Sequence, residues 1–147
     1  MILRLLWRLG SLNGVSQTAP KQSLAERLGY DRETRLLIVH ADDLGLARSV
    51  NAAFIAGLKT GLINSGSAMV PCPWFSEIAA FARVHPEADI GLHLTLTSER
   101  KKTFAPISPR ADVSSLVDEQ GCFLQEWTPE ARIDSRQVET ELRAQIE

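Results

Sequence analysis

The sequence contains little cysteine, no strong excess of charge and no long apolar run. Only 2 of its 147 residues are cysteine, which excludes a disulfide scaffold and a cysteine-based zinc site. Its 16 basic and 18 acidic residues give a net charge of −2, so no basic field is available to hold nucleic acid or an anionic membrane. No stretch approaches the roughly 20 apolar residues of a membrane-spanning helix. No G-x-G-x-x-G motif follows the first predicted strand, which excludes a dinucleotide-binding fold.

The length limits the fold that the chain can form. Its 147 residues, 44% of them hydrophobic, are enough for one domain with a core of its own. A closed (β/α) barrel needs about 250 residues, so this chain cannot close one alone. At the start of the sequence, an apolar run is interrupted by Arg4 and Arg8. We interpret residues 1–20 as either a tail or a degraded signal segment, which leaves export or a cytoplasmic location open.

The order of the predicted elements is typical of a parallel α/β sheet. The apolar run Leu36–Val39 predicts a fully buried strand, and two shorter strands are predicted at 67–70 and 90–94. Apolar residues at helical spacing predict two intervening helices, at 47–59 and 75–84. Alternation of strands and helices at this spacing indicates right-handed βαβ units whose strands run in the same direction.

Three further segments complete the predicted organisation. A helix is expected within Lys21–Tyr30, before the first strand. The stretch 98–129 has no clear periodicity and four breakers, and such a long loop within a domain is usually functional or partly disordered. A last helix is predicted from Asp134 or Ser135 onward; its apolar residues Val138, Leu142 and Ile146 share one face.

Acidic and imidazole side chains follow two of the predicted strands. Asp42 and Asp43 come directly after the first strand, and His93 lies at the end of the third. Because the carboxyl ends of parallel strands meet at one edge of a sheet, we expect these side chains to converge. Two adjacent carboxylates are costly to bury without a cation, so a divalent metal ion held by one Asp and by His93 is one interpretation. The other Asp would then accept a proton from an activated water molecule.

Other interpretations of these residues stay open. An Asp-Asp pair in a turn is most often a helix N-cap with a solvated neighbour, and a lone His at a strand end is more often structural than a ligand. A phospho-receiver domain also has an acidic pair after its first strand, but it needs a third Asp where this chain has His93. His40 either supports the acidic pair or is simply hydrogen-bonded. Cys72 is expected to be a buried, inert thiol.

Aromatic and hydroxyl side chains near the same edge are candidates for binding a substrate. Trp74 and Trp127 could stack on a sugar ring, although packing in the core or under a loop is an equal alternative. Thr95 follows His93 in the sequence and is the third candidate.

Four segments together resemble the YdjC/ChbG-like carbohydrate deacetylases. These are I-V-H-A-D-D-L-G at 38–45, S-V-N at 49–51, S-A-M-V-P at 67–71 and G-L-H-L-T-L-T at 91–97. The resemblance extends to S-L-V-D at 115–118 and to the closing helix, so that residues 21–147 look like the N-terminal part of such a domain. It implies a (β/α) barrel-like fold, here about the first half, and removal of N-acetyl groups from amino sugars or oligosaccharides with a divalent metal ion, magnesium or zinc.

The resemblance also assigns roles to residues, and one metal ligand of the family has no counterpart in this sequence. Asp42 corresponds to the catalytic base, and Asp43 and His93 correspond to metal ligands. A further metal-binding His of the family lies beyond the last helix, and none of the 3 His residues of this chain takes its place. We therefore expect a truncated member with weak metal binding and little activity alone; the alternative is a non-catalytic remnant that binds a sugar or a partner. Pairing of two copies is one way to cover an open sheet.

Overall fold

The computed structural model describes residues 22–99 and 102–147. The interpretation of residues 1–20 falls outside this range. The chain divides into two compact units between Leu37 and Ile38. Within the described part, no helix is long and apolar enough to cross a membrane.

The described residues of the first unit, 22–37, contain one short helix, α1 (Leu24–Arg27). Its start is fixed by a capping box: the backbone N–H of Glu26 donates to the Ser23 hydroxyl at 3.2 Å, and the Glu26 carboxylate accepts from the Ser23 N–H at 2.7 Å. Beyond the C-cap residue Leu28, Gly29 has a left-handed φ of 86°. The helix expected within Lys21–Tyr30 is therefore present but only one turn long.

The second unit is built around a three-stranded parallel sheet. Its strands are β1 (His40–Leu44), β2 (Ser65–Ala68) and β3 (Ile90–Leu92), adjacent in that order. Helix α2 (Arg48–Thr60) connects β1 to β2, and helix α3 (Phe75–Val84) connects β2 to β3. The predicted βαβαβ order and the common strand direction are confirmed.

The prediction of a buried strand at Leu36–Val39 is wrong. The strand begins at His40, and the side chains of Leu37 and Ile38 are 76% and 75% exposed. Val39 contacts Asn64, the residue before β2: the Asn64 N–H donates to the Val39 carbonyl at 3.1 Å, and the Val39 N–H donates to the Asn64 side chain at 2.9 Å. Regular pairing between β1 and β2 begins at the next residues, His40 and Ser65. A run of apolar residues indicates burial, but it does not determine which residues form the hydrogen bonds of a sheet.

One face of the sheet packs on the two connecting helices. Leu44 from β1 and Ala68 from β2 form a buried core with Phe54 of α2 and Ile78 of α3. Gly66 permits this close packing, because a Cβ there would lie 2.6 Å from a ring carbon of Phe54 and 2.8 Å from a methyl carbon of Leu44. The opposite face of the sheet is left to polar residues.

A second core lies under the irregular segment that follows β3. The prediction of an irregular stretch at 98–129 is confirmed for its described residues, which contain a 3₁₀ turn at Arg110–Asp112 and an isolated antiparallel bridge between Val117 and Phe123. Buried apolar side chains nevertheless hold this irregular segment in place. The buried members of this core are Met69, Cys72, Phe104, Val113, Leu116 and Phe123.

The last helix, α4 (Ser135–Ile146), begins as predicted. Asp134 caps it by accepting the N–H of Arg136 at 2.8 Å. On the predicted apolar face, Val138 packs against the second core and Leu142 is partly buried, whereas Ile146 is 62% exposed. The fully buried residues are Glu141 and Gln145, because they hydrogen-bond backbone groups of the preceding segments, and apolar periodicity did not indicate these two.

Candidate functional site

The polar face of the sheet forms the floor of an open cleft of about 530 Å³. Successive side chains of a strand alternate between faces, so the helix-facing residues Ala68 and Ile90 alternate with cleft-facing ones. The cleft is lined by His40 and Asp42 of β1, Ser65 and Ser67 of β2, and Gly91 of β3 with His93 directly after it. Leu92 and Leu94 also border it, but most of the lining residues are small or polar.

A bulge in β1 brings the two adjacent aspartates to the same side. Ala41 pairs with Gly66 and Leu44 pairs with Ala68, so Asp42 and Asp43 together lie opposite a single residue of β2. Asp43 has a φ of 63°, a left-handed conformation that Asp tolerates better than most residues. In a regular strand Asp43 would point to the helix side, so the extra residue redirects its carboxylate toward His93.

His93 lies within reach of both carboxylates. Its Nδ1 is 3.5 Å from Oδ1 of Asp43 and 4.0 Å from Oδ1 of Asp42. The backbone N–H of Asp43 also donates to this nitrogen, at 3.5 Å. The structure therefore brings together the three residues that the sequence placed at the edge of the sheet, although it does not test their chemical roles.

Ser67 lies at the centre of the cluster. Its hydroxyl donates to Oδ1 of Asp42 at 3.1 Å and lies 3.3 Å from Nδ1 of His93. On its other side, Nε2 of His40 is 3.1 Å from the same hydroxyl and 3.3 Å from Oδ1 of Asp42. The second ring nitrogen of His40, Nδ1, is 2.8 Å from the hydroxyl of Ser65.

The turn after the aspartates is held by a fully buried amide. Oδ1 of Asn51 accepts the N–H of Gly45 at 2.8 Å, and its Nδ2 donates to the Trp74 carbonyl at 3.1 Å and to Glu77 at 2.8 Å. Gly45 has a φ of 91°, and a Cβ there would lie 3.2 Å from the Met69 carbonyl. Asn51 thus connects the segments that follow β1 and β2.

The residues expected to bind a substrate lie around the cluster rather than in it. Thr95 is buried, and its hydroxyl donates to the backbone carbonyl of His93 at 2.8 Å. Trp74 is 41% exposed, with the guanidinium of Arg48 6.0 Å from its ring centre. Trp127 is 43% exposed. None of the three candidates lines the cleft, and their role in substrate binding stays a prediction.

Thr95 is in turn fixed by the last helix. The side-chain amide of Gln145 accepts the Thr95 N–H at 2.9 Å and donates to the Thr95 carbonyl at 2.7 Å. Glu141, one turn earlier, accepts the N–H groups of Ile107 and Ser108 at 3.0 and 2.9 Å. Helix α4 therefore supports the backbone that follows His93, a role that its sequence did not indicate.

Cys72 is buried near the cleft edge, as expected. Burial raises the pKa of its thiol to about 12, and the negative charges of Glu99 and Asp43 contribute in the same direction, against the opposing effect of Lys102. A thiol with so high a pKa stays protonated near neutral pH and is a poor nucleophile. The interpretation of Cys72 as inert is thus supported.

The donor atoms of the cluster fit part of a metal site. Two ligands about 2.1 Å from a tetrahedral ion lie about 3.4 Å apart, close to the 3.5 Å between Asp43 Oδ1 and His93 Nδ1. Within residues 22–99 and 102–147, however, no three His, Cys, Asp or Glu side chains are arranged to hold a metal ion. The described residues therefore offer a carboxylate and an imidazole as a pair of ligands.

Sequence reasoning did not assign a role to two residues of this cluster, Ser65 and Ser67. Small polar residues in a short strand carry no distinctive signal, and Ser67 was apparent only as the start of a predicted strand. Strand alternation together with the correct register would have placed both hydroxyls beside His40 and Asp42.

Comparison with known proteins decides the family. The family model for YdjC-like protein matches residues 36–147. The chain belongs to the YdjC-like family. A carbohydrate deacetylase from Enterococcus faecalis is 40% identical over 111 residues, which cover 75% of this chain and 41% of that protein. A carbohydrate deacetylase from Thermus thermophilus is 42% identical over 129 residues, covering 84% of this chain and 42% of that protein.

A solved structure supports the fold of this YdjC-like chain. The crystal structure of an Enterococcus faecalis protein named for cellobiose-phosphate cleavage superimposes with a TM-score of 0.64 at 37% identity. The superposition covers 74% of this chain and 41% of the other. The YdjC-like chain therefore spans about two fifths of the length of the relatives that it matches.

Proposed function

We propose that the protein is a metal-dependent hydrolase that removes acetyl groups from N-acetylated amino sugars. The observation that carries this proposal is the convergence of Asp42, Asp43 and His93, with 3.5 and 4.0 Å between the His93 nitrogen and the two carboxylates. Relatives named carbohydrate deacetylase and chitooligosaccharide deacetylase support the type of substrate. We also propose that the three parallel strands belong to a barrel-like (β/α) arrangement, in which the polar face of the sheet is the inner one.

Asp43 and His93 would hold a divalent cation, zinc or magnesium. When bound, such an ion polarises the acetamide carbonyl and lowers the pKa of a water molecule. Water molecules or groups outside the described residues would complete its coordination. The left-handed backbone of Asp43 aims its carboxylate at the His93 ring, which sets the spacing of the two ligands.

Asp42 would act as the general base. Its side chain is 66% exposed, and its described contacts, with Ser67, His40 and His93, all fall on Oδ1. Oδ2 therefore has lone pairs available to accept a proton from attacking water. The division between a coordinating and a free carboxylate follows from the bulge, which lets adjacent residues share one side of the strand.

Acetate release from N-acetylglucosamine oligomers, with zinc or magnesium added, tests the activity. Asp42→Asn should abolish turnover while leaving zinc affinity within about threefold, because the proposed base is not a ligand. Asp43→Asn and His93→Gln should each weaken zinc binding by about tenfold or more. Glu87→Gln, an exposed change at a residue outside the cleft, is the matched control. Full turnover by Asp42→Asn would refute the assignment of the base.

A second candidate function is binding of an amino sugar without hydrolysis. It is favoured by the pair of ligands in the described residues, since catalytic zinc sites usually have three protein ligands. Saturable binding of N-acetylglucosamine oligomers without acetate release, at zinc concentrations that saturate the protein, would favour this alternative.

A further inference from the structure

We propose that His40 is a positioning residue that holds the Asp42 carboxylate in one orientation through Ser67. The importance of this positioning for catalysis rests on the proposed function, in which Asp42 is the general base. The hydrogen-bond arrangement itself follows from the geometry alone.

The contacts form a continuous series across β1 and β2. His40 is the first residue of β1 and pairs with Ser65, the first residue of β2. Its ring reaches Ser65 with Nδ1 at 2.8 Å and Ser67 with Nε2 at 3.1 Å. Ser67 continues to Oδ1 of Asp42 at 3.1 Å, and Nε2 of His40 is itself 3.3 Å from that oxygen. Both nitrogens of the ring are therefore engaged.

Proton counting selects one arrangement of these hydrogen bonds. An ionised carboxylate accepts only, and a hydroxyl has one proton to donate. If Ser67 donates to Asp42, its oxygen must accept from Nε2–H of His40, and Nδ1 must then accept from Ser65. The reverse tautomer would make Ser67 donate to Nε2, so that Asp42 Oδ1 would face two lone pairs at 3.1 and 3.3 Å. The geometry therefore assigns the proton to Nε2.

His93 is a second acceptor near Ser67, because its Nδ1 lies 3.3 Å from the Ser67 hydroxyl and also faces the N–H of Asp43 at 3.5 Å. The contact of Ser67 with Asp42 is shorter, at 3.1 Å, and an ionised carboxylate is the stronger acceptor, so we assign the Ser67 proton to Asp42. Asp42 is 66% exposed and has no other described hydrogen-bond donor. Without the His40 and Ser67 contacts, its side chain would be free to change rotamer.

Nitrogen NMR of the full chain tests the tautomer at a pH where imidazole is neutral. The chain has 3 His residues, so each ring can be assigned by single His→Gln substitutions. We expect His40 to show one tautomer, with an observable Nε2–H proton. Asp42→Asn should permit a second tautomer, because an amide can also donate, whereas Asp43→Asn should leave His40 unchanged. A proton on Nδ1, or identical His40 signals with and without Asp42→Asn, would overturn the assignment.

Coupling constants of the Asp42 side chain test the positioning without relying on activity. Asp42 should populate a single χ1 rotamer in the unmodified chain and in His40→Gln, whose amide keeps a donor. His40→Phe, which keeps a ring but no donor, should show averaged couplings. Averaging in the unmodified chain, or a fixed rotamer in His40→Phe, contradicts the proposal. Unfolding curves of the variants distinguish loss of positioning from loss of fold.

The same variants separate this proposal from the proposed function. If the chain releases acetate, His40→Phe should lower kcat by about tenfold or more with zinc affinity unchanged, and His40→Gln should restore most of kcat. Absence of acetate release from the unmodified chain counts against the deacetylase assignment only, because the two NMR measurements still decide whether His40 holds Asp42.

Discussion

Oδ1 of Asp43 lies 3.5 Å from Nδ1 of His93, although the two residues are 50 positions apart in the chain. They meet because β1 and β3 flank the same central strand and run in the same direction. The remaining adjustment is local: the left-handed φ of Asp43 turns its side chain toward His93. Parallel topology and a single unusual dihedral angle thus produce the pair.

The first prediction separates the backbone conformation of Asp43 from its proposed role as a metal ligand. Asp43→Asn and Asp43→Gly should leave the free energy of unfolding within about 0.5 kcal/mol, because Asn and Gly both tolerate positive φ. Asp43→Ala should lower it by about 1 to 2 kcal/mol. All three should weaken zinc binding. Urea unfolding and zinc titration are the measurements, and equal stability of the Ala and Gly variants would contradict the assigned strain.

The second prediction concerns the buried amide of Asn51. Asn51→Asp keeps the acceptor for the Gly45 N–H but places a carboxylate oxygen against the Trp74 carbonyl and Glu77. We expect a loss of about 2 to 4 kcal/mol in the free energy of unfolding. Adding Glu77→Gln should recover part of that loss, since a side-chain amide can donate to the introduced carboxylate. A double-mutant cycle measures the recovery, and strict additivity would disprove the contact.

The third prediction compares two glutamates of the same helix. Glu141 is fully buried and accepts two backbone N–H groups, whereas Glu139 is 63% exposed and pairs with Arg143 on the surface. Glu141→Gln should lower the free energy of unfolding by about 1 to 3 kcal/mol, because an amide presents only one acceptor oxygen to the two donors. Glu139→Gln should cost less than about 1 kcal/mol. Similar costs in urea unfolding would contradict the buried role of Glu141.

The fourth prediction concerns the two thiols. At pH 8 iodoacetamide should label Cys122 much faster than Cys72, because burial raises the pKa of the Cys72 thiol to about 12. The same shift stabilises the fold below the ordinary pKa of 9.0, and this contribution is lost progressively as pH rises from about 9 to about 12. Unfolding curves of the unmodified chain should therefore fall more steeply over that range than those of Cys72→Ala. Equal labelling rates, or parallel curves, would contradict the prediction.

Local patterns in the sequence predicted the helices better than the strands. The bounds of α3 at Phe75–Val84 were predicted because the apolar spacing is regular and Pro86 limits the helix. Strand β1 was misplaced by four residues, because its apolar neighbours at 36–39 look more strand-like than H-A-D-D-L does. A strand that carries a site is polar on one face, and this weakens its hydrophobic signal.

The candidate site was predictable in its main residues but not in its supports. The rule that parallel strands end at one edge was enough to place Asp42, Asp43 and His93 together. The bulge could not be predicted, because it depends on pairing with β2 and leaves no motif of its own. The contacts of Gln145 with Thr95 link residues 50 positions apart through a helix that buries two polar side chains, which amphipathic patterning does not predict.

Those two hydrogen bonds also bear on pairing between molecules. A free peptide group at the edge of a sheet can pair with a strand of another molecule, which leads to edge-to-edge aggregation. Gln145 occupies both the N–H and the carbonyl of Thr95, three residues after the end of β3. We therefore expect that a strand of another molecule finds no free backbone group at Thr95.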